Sequence, residues 1–414
     1  MKLYALLSAV CAFQASATVA VGADALTSNG QEAVLPGLVG SGFAELFPSK
    51  EPWFWDAKLF GRVQWQYGYV DGTDSNGADF NYDTTEVRRV YLGGQARFAK
   101  YFQVIGRTVL VKDRNPIDGP TDWGYQHIWD LALKADVKKL LELEALDAFV
   151  VAYGKKQLNV SDEWHVSSKY IKTVERSAIA NKVWPYTEGY SNPTGSWFDL
   201  KQNGWKATAG IFSTDDSTEF STWDDGCLFY GDATFTAAMD NGFCLKSVTL
   251  SGFYQDRSSE DEQLSGGLKW VGSLAAHVGE GPWELRGNFI CGDNGQQIDE
   301  REGNFWGFVL LGSHWILQDR LEVVARYQYQ GSEEAEGIRL WSRYARSADA
   351  VGDADLGSSG GRGDEHQSAY VGVNTHLKKD QLKLMLGLEY DEVTSESHLV
   401  YKGWTTYVGL RTFF

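Results

Sequence analysis

Five basic residues, Arg62, Arg89, Arg107, Lys269 and Arg326, fall within stretches where apolar and polar side chains alternate. Period-two alternation places each of them on the polar face of a β-strand, opposite the apolar set. Arg62, Arg107 and Arg326 lie about six residues from the same end of their strands, at similar heights once strand tilt is allowed for. Arg89 and Lys269 fall somewhat higher. Basic groups gathered on one polar wall attract anions, and arginine adds a forked donor pair that matches carboxylate or phosphate. Acids expected on the same face are fewer: Asp130, Asp232 and Glu389. A wide aqueous interior also carries scattered, self-paired charges, so that reading stands beside anion preference. Catalysis has less to work with. None of the seven histidines, His127, His165, His277, His314, His366, His376 and His398, sits in a nucleophile motif. Asp74, Asn76, Gly77 and Asp83 imitate part of a calcium-binding loop, but Gly72 occupies its first place and no helices flank it, so a solvated acidic loop is expected rather than a metal site.

The strands that must carry these residues are legible in the alternation. In 58–69, Leu59, Val63, Trp65, Tyr67 and Tyr69 share one face, and Arg62, Gln64 and Gln66 share the other. Trp283, Leu285 and Phe289 likewise oppose Glu284, Arg286 and Asn288, and Leu384, Leu386 and Leu388 oppose Lys383 and Glu389. Sixteen such stretches follow one another. The first eight cover about 56–70, 84–98, 101–112, 124–136, 145–155, 194–201, 204–213 and 226–239. The others cover about 243–256, 264–278, 283–293, 303–317, 320–331, 366–378, 381–393 and 401–414. An even number is what single-chain bacterial barrels require.

The connections alternate as well. Long polar ones fall at 71–83, 113–123, 156–193, 214–225, 257–263, 294–302, 332–365 and 394–400. Between them lie short turns such as Ala99-Lys100, Gln202-Asn203, Gln318-Asp319 and Lys379-Asp380; 137–144 is the longest of that set. This order predicts an all-β fold: a transmembrane 16-stranded antiparallel β-barrel with long extracellular loops, short periplasmic turns and both termini in the periplasm. Sixteen strands leave a water-filled lumen, whereas the side chains of eight would fill it.

Export agrees with this. Lys2 precedes an apolar run to Phe13, and Ala15-Ser16-Ala17 and Val21-Gly22-Ala23 offer cleavage sites, the pattern of a secretory signal peptide over 1–23. Residues 24–55 read as a periplasmic N-terminal segment and 56–414 as the barrel. Losing 1–23 removes Lys2 and no acid, so the mature chain is more acidic than the −17 of the full sequence. Such a chain is a poor partner for nucleic acid. No later stretch reaches the 18 or more apolar residues of a membrane-spanning helix. Cys227 and Cys244 flank a hairpin whose turn falls near Asp240-Asn241-Gly242. They would face about Tyr254 and Ala237, outside the ~7 Å reach of a disulfide.

The long connection 156–193 is the natural segment to fold inward and narrow the lumen, since Trp164, Tyr170, Trp184 and Tyr186 suit packing on a wall. An outward flap is the alternative. Around it lie Asp147-Ala148-Phe149-Val150-Val151-Ala152-Tyr153-Gly154-Lys155-Lys156-Gln157-Leu158, Ser167-Ser168-Lys169-Tyr170, Val174-Glu175-Arg176-Ser177 and Trp205-Lys206-Ala207-Thr208-Ala209-Gly210-Ile211-Phe212. In these stretches, and in the strand count, the chain resembles the phosphate-selective porin O and P family of Gram-negative outer membranes. It lacks the proline usual after the family's Gly-Lys segment. The terminal Phe414, with Val408 and Leu410 on its face, resembles the signal read by the barrel-assembly machinery, although Thr412 departs from it.

The resemblance implies homotrimeric, anion-preferring pores in outer-membrane lipid and lipopolysaccharide, with Lys155, Lys156, Glu175 and Arg176 as constriction candidates. The expected function is passive diffusion of small hydrophilic solutes or anions, phosphate among them, with no cofactor and no catalysis. A non-selective or sugar-preferring porin, a barrel adhesin and an outer-membrane hydrolase are the alternatives.

Overall fold

A computed structural model describes residues 44–47, 56–112, 121–187, 191–215, 219–224, 226–237, 244–257, 267–295 and 299–414. All of them belong to the compact unit Leu38–Phe414. The signal peptide expected over 1–23 and the turn expected at Asp240-Asn241-Gly242 lie outside the described residues.

The alternating stretches form a closed 16-stranded antiparallel barrel. Its first eight strands are β1 (Asp56–Thr73), β2 (Asp79–Phe98), β3 (Phe102–Val111), β4 (Trp123–Asp136), β5 (Ala148–Lys155), β6 (Thr194–Gln202), β7 (Trp205–Ser213) and β8 (Gly226–Thr236). The remainder are β9 (Cys244–Arg257), β10 (Trp270–Glu280), β11 (Trp283–Asp293), β12 (Asn304–Leu317), β13 (Leu321–Ser332), β14 (Glu365–Lys378), β15 (Leu382–Ser395) and β16 (His398–Phe413). Each pairs with the next, and β16 closes on β1 from Lys402 opposite Thr73 to Phe413 opposite Arg62. Closure leaves no open sheet edge, which a strand-built protein in lipid requires. A short strand, Ala44–Phe47, adds to the start of β1 with Ala44 opposite Leu59.

The burial pattern is inverted relative to a water-soluble protein. On β11, Trp283 is 58% exposed and Phe289 48%, whereas Asn288 between them is 6% exposed. On β1, Leu59, Val63 and Tyr69 are exposed while Arg62, Gln64 and Gln66 are buried. Apolar outside and polar inside is the arrangement of a barrel solvated by lipid. No described helix is long and apolar enough to cross a membrane.

Three expectations need correction. The connection expected at 394–400 is a two-residue turn, because Ser395 pairs with His398 and both Glu396 (φ 49°) and Ser397 (φ 68°) adopt the left-handed conformation of a tight hairpin. The one expected at 71–83 shrinks to 74–78, since β1 and β2 pair as far as Thr73 and Asp79. There the Asp74 carboxylate accepts bonds from the Asn76, Ala78 and Asp355 backbone N–H groups, which makes it a turn-forming residue. In the β8–β9 hairpin the register differs from expectation by two, and Cys227 faces Asp256. Cys227 and Cys291 form no disulfide among the described residues. At the opposite end, Asn203 (φ 48°) and Gly204 (φ 82°) make the tight β6–β7 turn, and the longer 137–147 connection contains a one-turn helix, α1 (Val137–Leu140).

Candidate functional site

Residues 156–187 and 191–193 lie inside the barrel. They contain two short helices, α2 (Asp162–His165) and α3 (Ala178–Lys182). Leu158, Val160, Ile179 and Val183 of this loop share a buried cluster with wall residues Phe212, Leu228, Phe253, Ile290 and Phe305. Each aliphatic side chain so buried contributes about 1.5–3 kcal/mol. The wall makes room for it: a Cβ on Gly307 would lie 2.3 Å from Ile179 Cδ1.

Polar wall groups then satisfy the loop's backbone, as burial demands. Arg411 donates to the carbonyls of Ser168 and Val174, Lys383 to that of Ile171 at 2.9 Å, and Asn374 to that of Lys172 at 2.8 Å.

A second segment also turns inward. Between β13 and β14, α4 (Arg343–Val351) is capped by Ser342 and ends at Gly352 (φ 84°). Its Tyr344 is fully buried against β1, where a Cβ on Gly68 would come within 2.2 Å of the ring. Arg343 pairs with Glu86 at 2.8 Å.

A cavity of about 280 Å³ lies between the third long loop and the β1–β6 wall. The wall contributes Arg62, Arg89, Arg107, Lys134 and Lys155, and the loop contributes Lys156 and Arg176. The acids on its lining are Asp130 and Asp199. Both are engaged: Asp130 takes a forked bond from Arg107, and Asp199 pairs with Lys156 at 3.3 Å. Arg62, Arg89 and Arg176 have no carboxylate within ion-pair distance among the described residues. Arg62 bonds Ser168 Oγ, Arg89 bonds Gln64 Oε1 at 2.9 Å, and Arg176 bonds the carbonyls of Glu163 and Val166 at 2.8 and 2.9 Å. All three are less than 10% exposed. Their directly bonded partners are neutral, and carboxylates such as Glu175 act on them only from beyond ion-pair distance.

The other expected site residues are dispersed. Lys155 ends β5 at the cavity and donates to the Glu219 carbonyl. Arg326 faces inward but lies beneath the loop, bound to Glu163 at 3.0 Å and Glu389 at 2.6 Å, and does not line the cavity. Lys269 is exposed just ahead of β10, away from that lining. Glu175 is a buried anchor: Arg88 Nε donates to it at 2.7 Å and Gln66 at 3.0 Å. Burial would raise its pKa, but Arg88 and Arg89 hold it far below the usual carboxylate range.

Arg88 was not among the expected site residues, and strict alternation would turn it away from inward-facing Arg89. A bulge pairs Gln64 with Arg89 but Trp65 with Val87, which leaves Arg88 as an extra residue able to turn inward. The lumen-facing glycines Gly68 and Gly307 were the available signal that something packs closely inside.

Several solved barrels share this architecture. The outer membrane channel DcaP of Acinetobacter baumannii superposes with TM-score 0.57 and 13% identity, over 89% of this chain and 99% of its own. A loop-deleted OmpT, an outer membrane protein of Vibrio cholerae, gives 0.56 and 9%, over 87% and 99%. OprB of Pseudomonas putida gives 0.55 and 10%, over 86% and 94%. At these identities the likeness shows the fold. No curated protein matches the chain by sequence. The family model described as phosphate-selective porin O and P matches residues 57–271, more than half of the sequence. A closed barrel with an apolar exterior, an inward third loop and this match together place the chain in the phosphate-selective porin O and P family, as an outer-membrane channel.

Proposed function

We propose that this channel passes small hydrophilic solutes by passive diffusion with a preference for anions, and that it catalyses no reaction. The observation that carries this reading is the charge balance at the cavity, where Arg62, Arg89 and Arg176 stand without acidic partners while both lining acids are already paired. A fixed positive field in a narrow, low-dielectric passage admits anions and repels cations. The overall −17 does not oppose it, because permeating ions respond to the charge lining their path. Phosphate as one such anion is supported by the family name.

Residues 1–23 as a cleaved signal peptide, 24–55 as a periplasmic segment, periplasmic termini, insertion by the barrel-assembly machinery, contact with lipopolysaccharide and assembly as a homotrimer belong to the same reading.

The test is the reversal potential of purified protein in a planar bilayer under a potassium chloride gradient. Stable ohmic steps with a chloride-side potential are expected. A potassium-side potential overturns the anion preference, and absence of conductance overturns the diffusion channel in favour of an adhesin or a plugged barrel.

A further inference from the structure

The cavity is unusual in what its cations rest on. The Arg176 guanidinium lies 4.0 Å from the ring centroid of Trp164, Arg62 lies 4.9 Å from that of Tyr91, and Lys156 lies 5.0 Å from that of Trp197. The rings continue behind them as a stack. Tyr91 lies 5.1 Å from Trp129, Trp129 lies 5.4 Å from Trp184, and Trp184 lies 4.4 Å from Trp164. Ile105 and Ala132 extend the apolar lining. Tyr91, Trp129, Trp164 and Trp197 are largely covered by their neighbours, which fixes them, and the part left open borders the cavity.

A compact inorganic anion makes poor use of such a wall. The face of an aromatic ring carries negative potential, and stripping water from phosphate or chloride against it is costly. An organic anion with a flat ring uses both halves of the lining. Its carboxylate meets guanidiniums that lack a directly bonded acidic partner, and its ring meets the uncovered edges of the wall rings in the edge-to-face arrangement, their faces being taken by Arg62, Arg176, Lys156 and one another. Small-molecule pockets begin at about 300 Å³, so a cavity of about 280 Å³ suits one ring-sized solute. His165, also on the lining, adds a ring nitrogen, Nε2, with no hydrogen-bond partner among the described residues.

Resting on the anion preference proposed above, we propose that this cavity is a binding site for aromatic carboxylates. The carboxylate is held by Arg62, Arg89 and Arg176, and the ring by Tyr91, Trp129 and Trp164.

The experiment measures block of the chloride current through the full chain by benzoate, by cyclohexanecarboxylate (equal in charge but puckered) and by acetate. Benzoate is expected to block at roughly tenfold lower concentration than acetate, with cyclohexanecarboxylate between them. In Trp164→Leu the benzoate-to-acetate ratio should fall to near one. Tyr91→Leu, on the barrel wall, makes the same test if the loop variant does not assemble, and the lipid-facing Trp404→Leu should keep the wild-type ratio. Equal block by benzoate and acetate in a wild-type channel that still prefers chloride sinks the aromatic site alone. A wild-type channel that prefers potassium sinks the anion reading beneath it.

Discussion

A guanidinium inside a barrel does one of two jobs, and its partners decide which. Arg326 is held between Glu163 and Glu389, so its field is cancelled locally and it serves as a tie between wall and loop. Arg62, Arg89 and Arg176 are held by a hydroxyl, an amide and backbone carbonyls, which orient the charge without pairing it directly to an acid. Different mutant phenotypes follow. Arg326→Gln leaves two buried carboxylates without their partner, a loss on the order of 3–5 kcal/mol. It should lower the temperature at which the barrel changes mobility on a gel while leaving the reversal potential nearly unchanged. Joint replacement of Arg62, Arg89 and Arg176 by Gln should do the opposite and move the reversal potential toward potassium. If the Arg326 variant moves selectivity instead, the roles given to these residues are exchanged.

At the scale of elements, the third long loop and α4 act as fillers that a sixteen-stranded wall cannot supply from its own side chains. The loop is held at its α3 end by Lys182, whose amine donates to Asn294 Oδ1 at 2.6 Å and the Gly337 carbonyl at 2.8 Å above the ring of Phe305. Burial, aided by nearby Arg362, brings this amine down to about 7. In a released loop it would return to about 10.4. Between those values the docked loop binds fewer protons than the released one, so docking strengthens as pH rises through the window and has lost that gain at neutral pH and below. Transient current excursions from loop release should therefore become rarer between about pH 7 and about pH 10. Lys182→Met should flatten the trend. An unchanged pH response in that variant assigns it to another group.

For the whole molecule, the sorting of connections predicts the orientation in the membrane. The connections at 156–193 and 333–364 leave from one end of the barrel, and the turns at Asn203-Gly204 and Lys379-Asp380 lie at the other. Barrels of this kind keep the short end in the periplasm. An epitope inserted at Ser358-Ser359, where Ser358 is exposed, should be reached by antibody on intact cells, and one at Lys379-Asp380 only after the outer membrane is opened. Labelling in the reverse order would invert the topology.

The sequence by itself determined the barrel: sixteen strands, their order and, on β1, β11, β13 and β15, which side chains face lipid. A two-residue period with one apolar face is a local property that neighbouring strands only reinforce. It also marked Arg62, Arg89 and Arg107 as lumen-facing. Tertiary structure decided the rest, because what a lumen-facing charge does depends on groups far away in the chain. Arg326 and Glu163 are 163 positions apart, Arg343 and Glu86 are 257, and no periodicity records such pairings. Nor does alternation survive a bulge, so the inward position of Arg88 emerges only from the β1–β2 register. The inward turn of α4 was hidden for a similar reason. It rests on Gly68 lying beneath Tyr344, a contact between a strand glycine and a helix that only folding brings together.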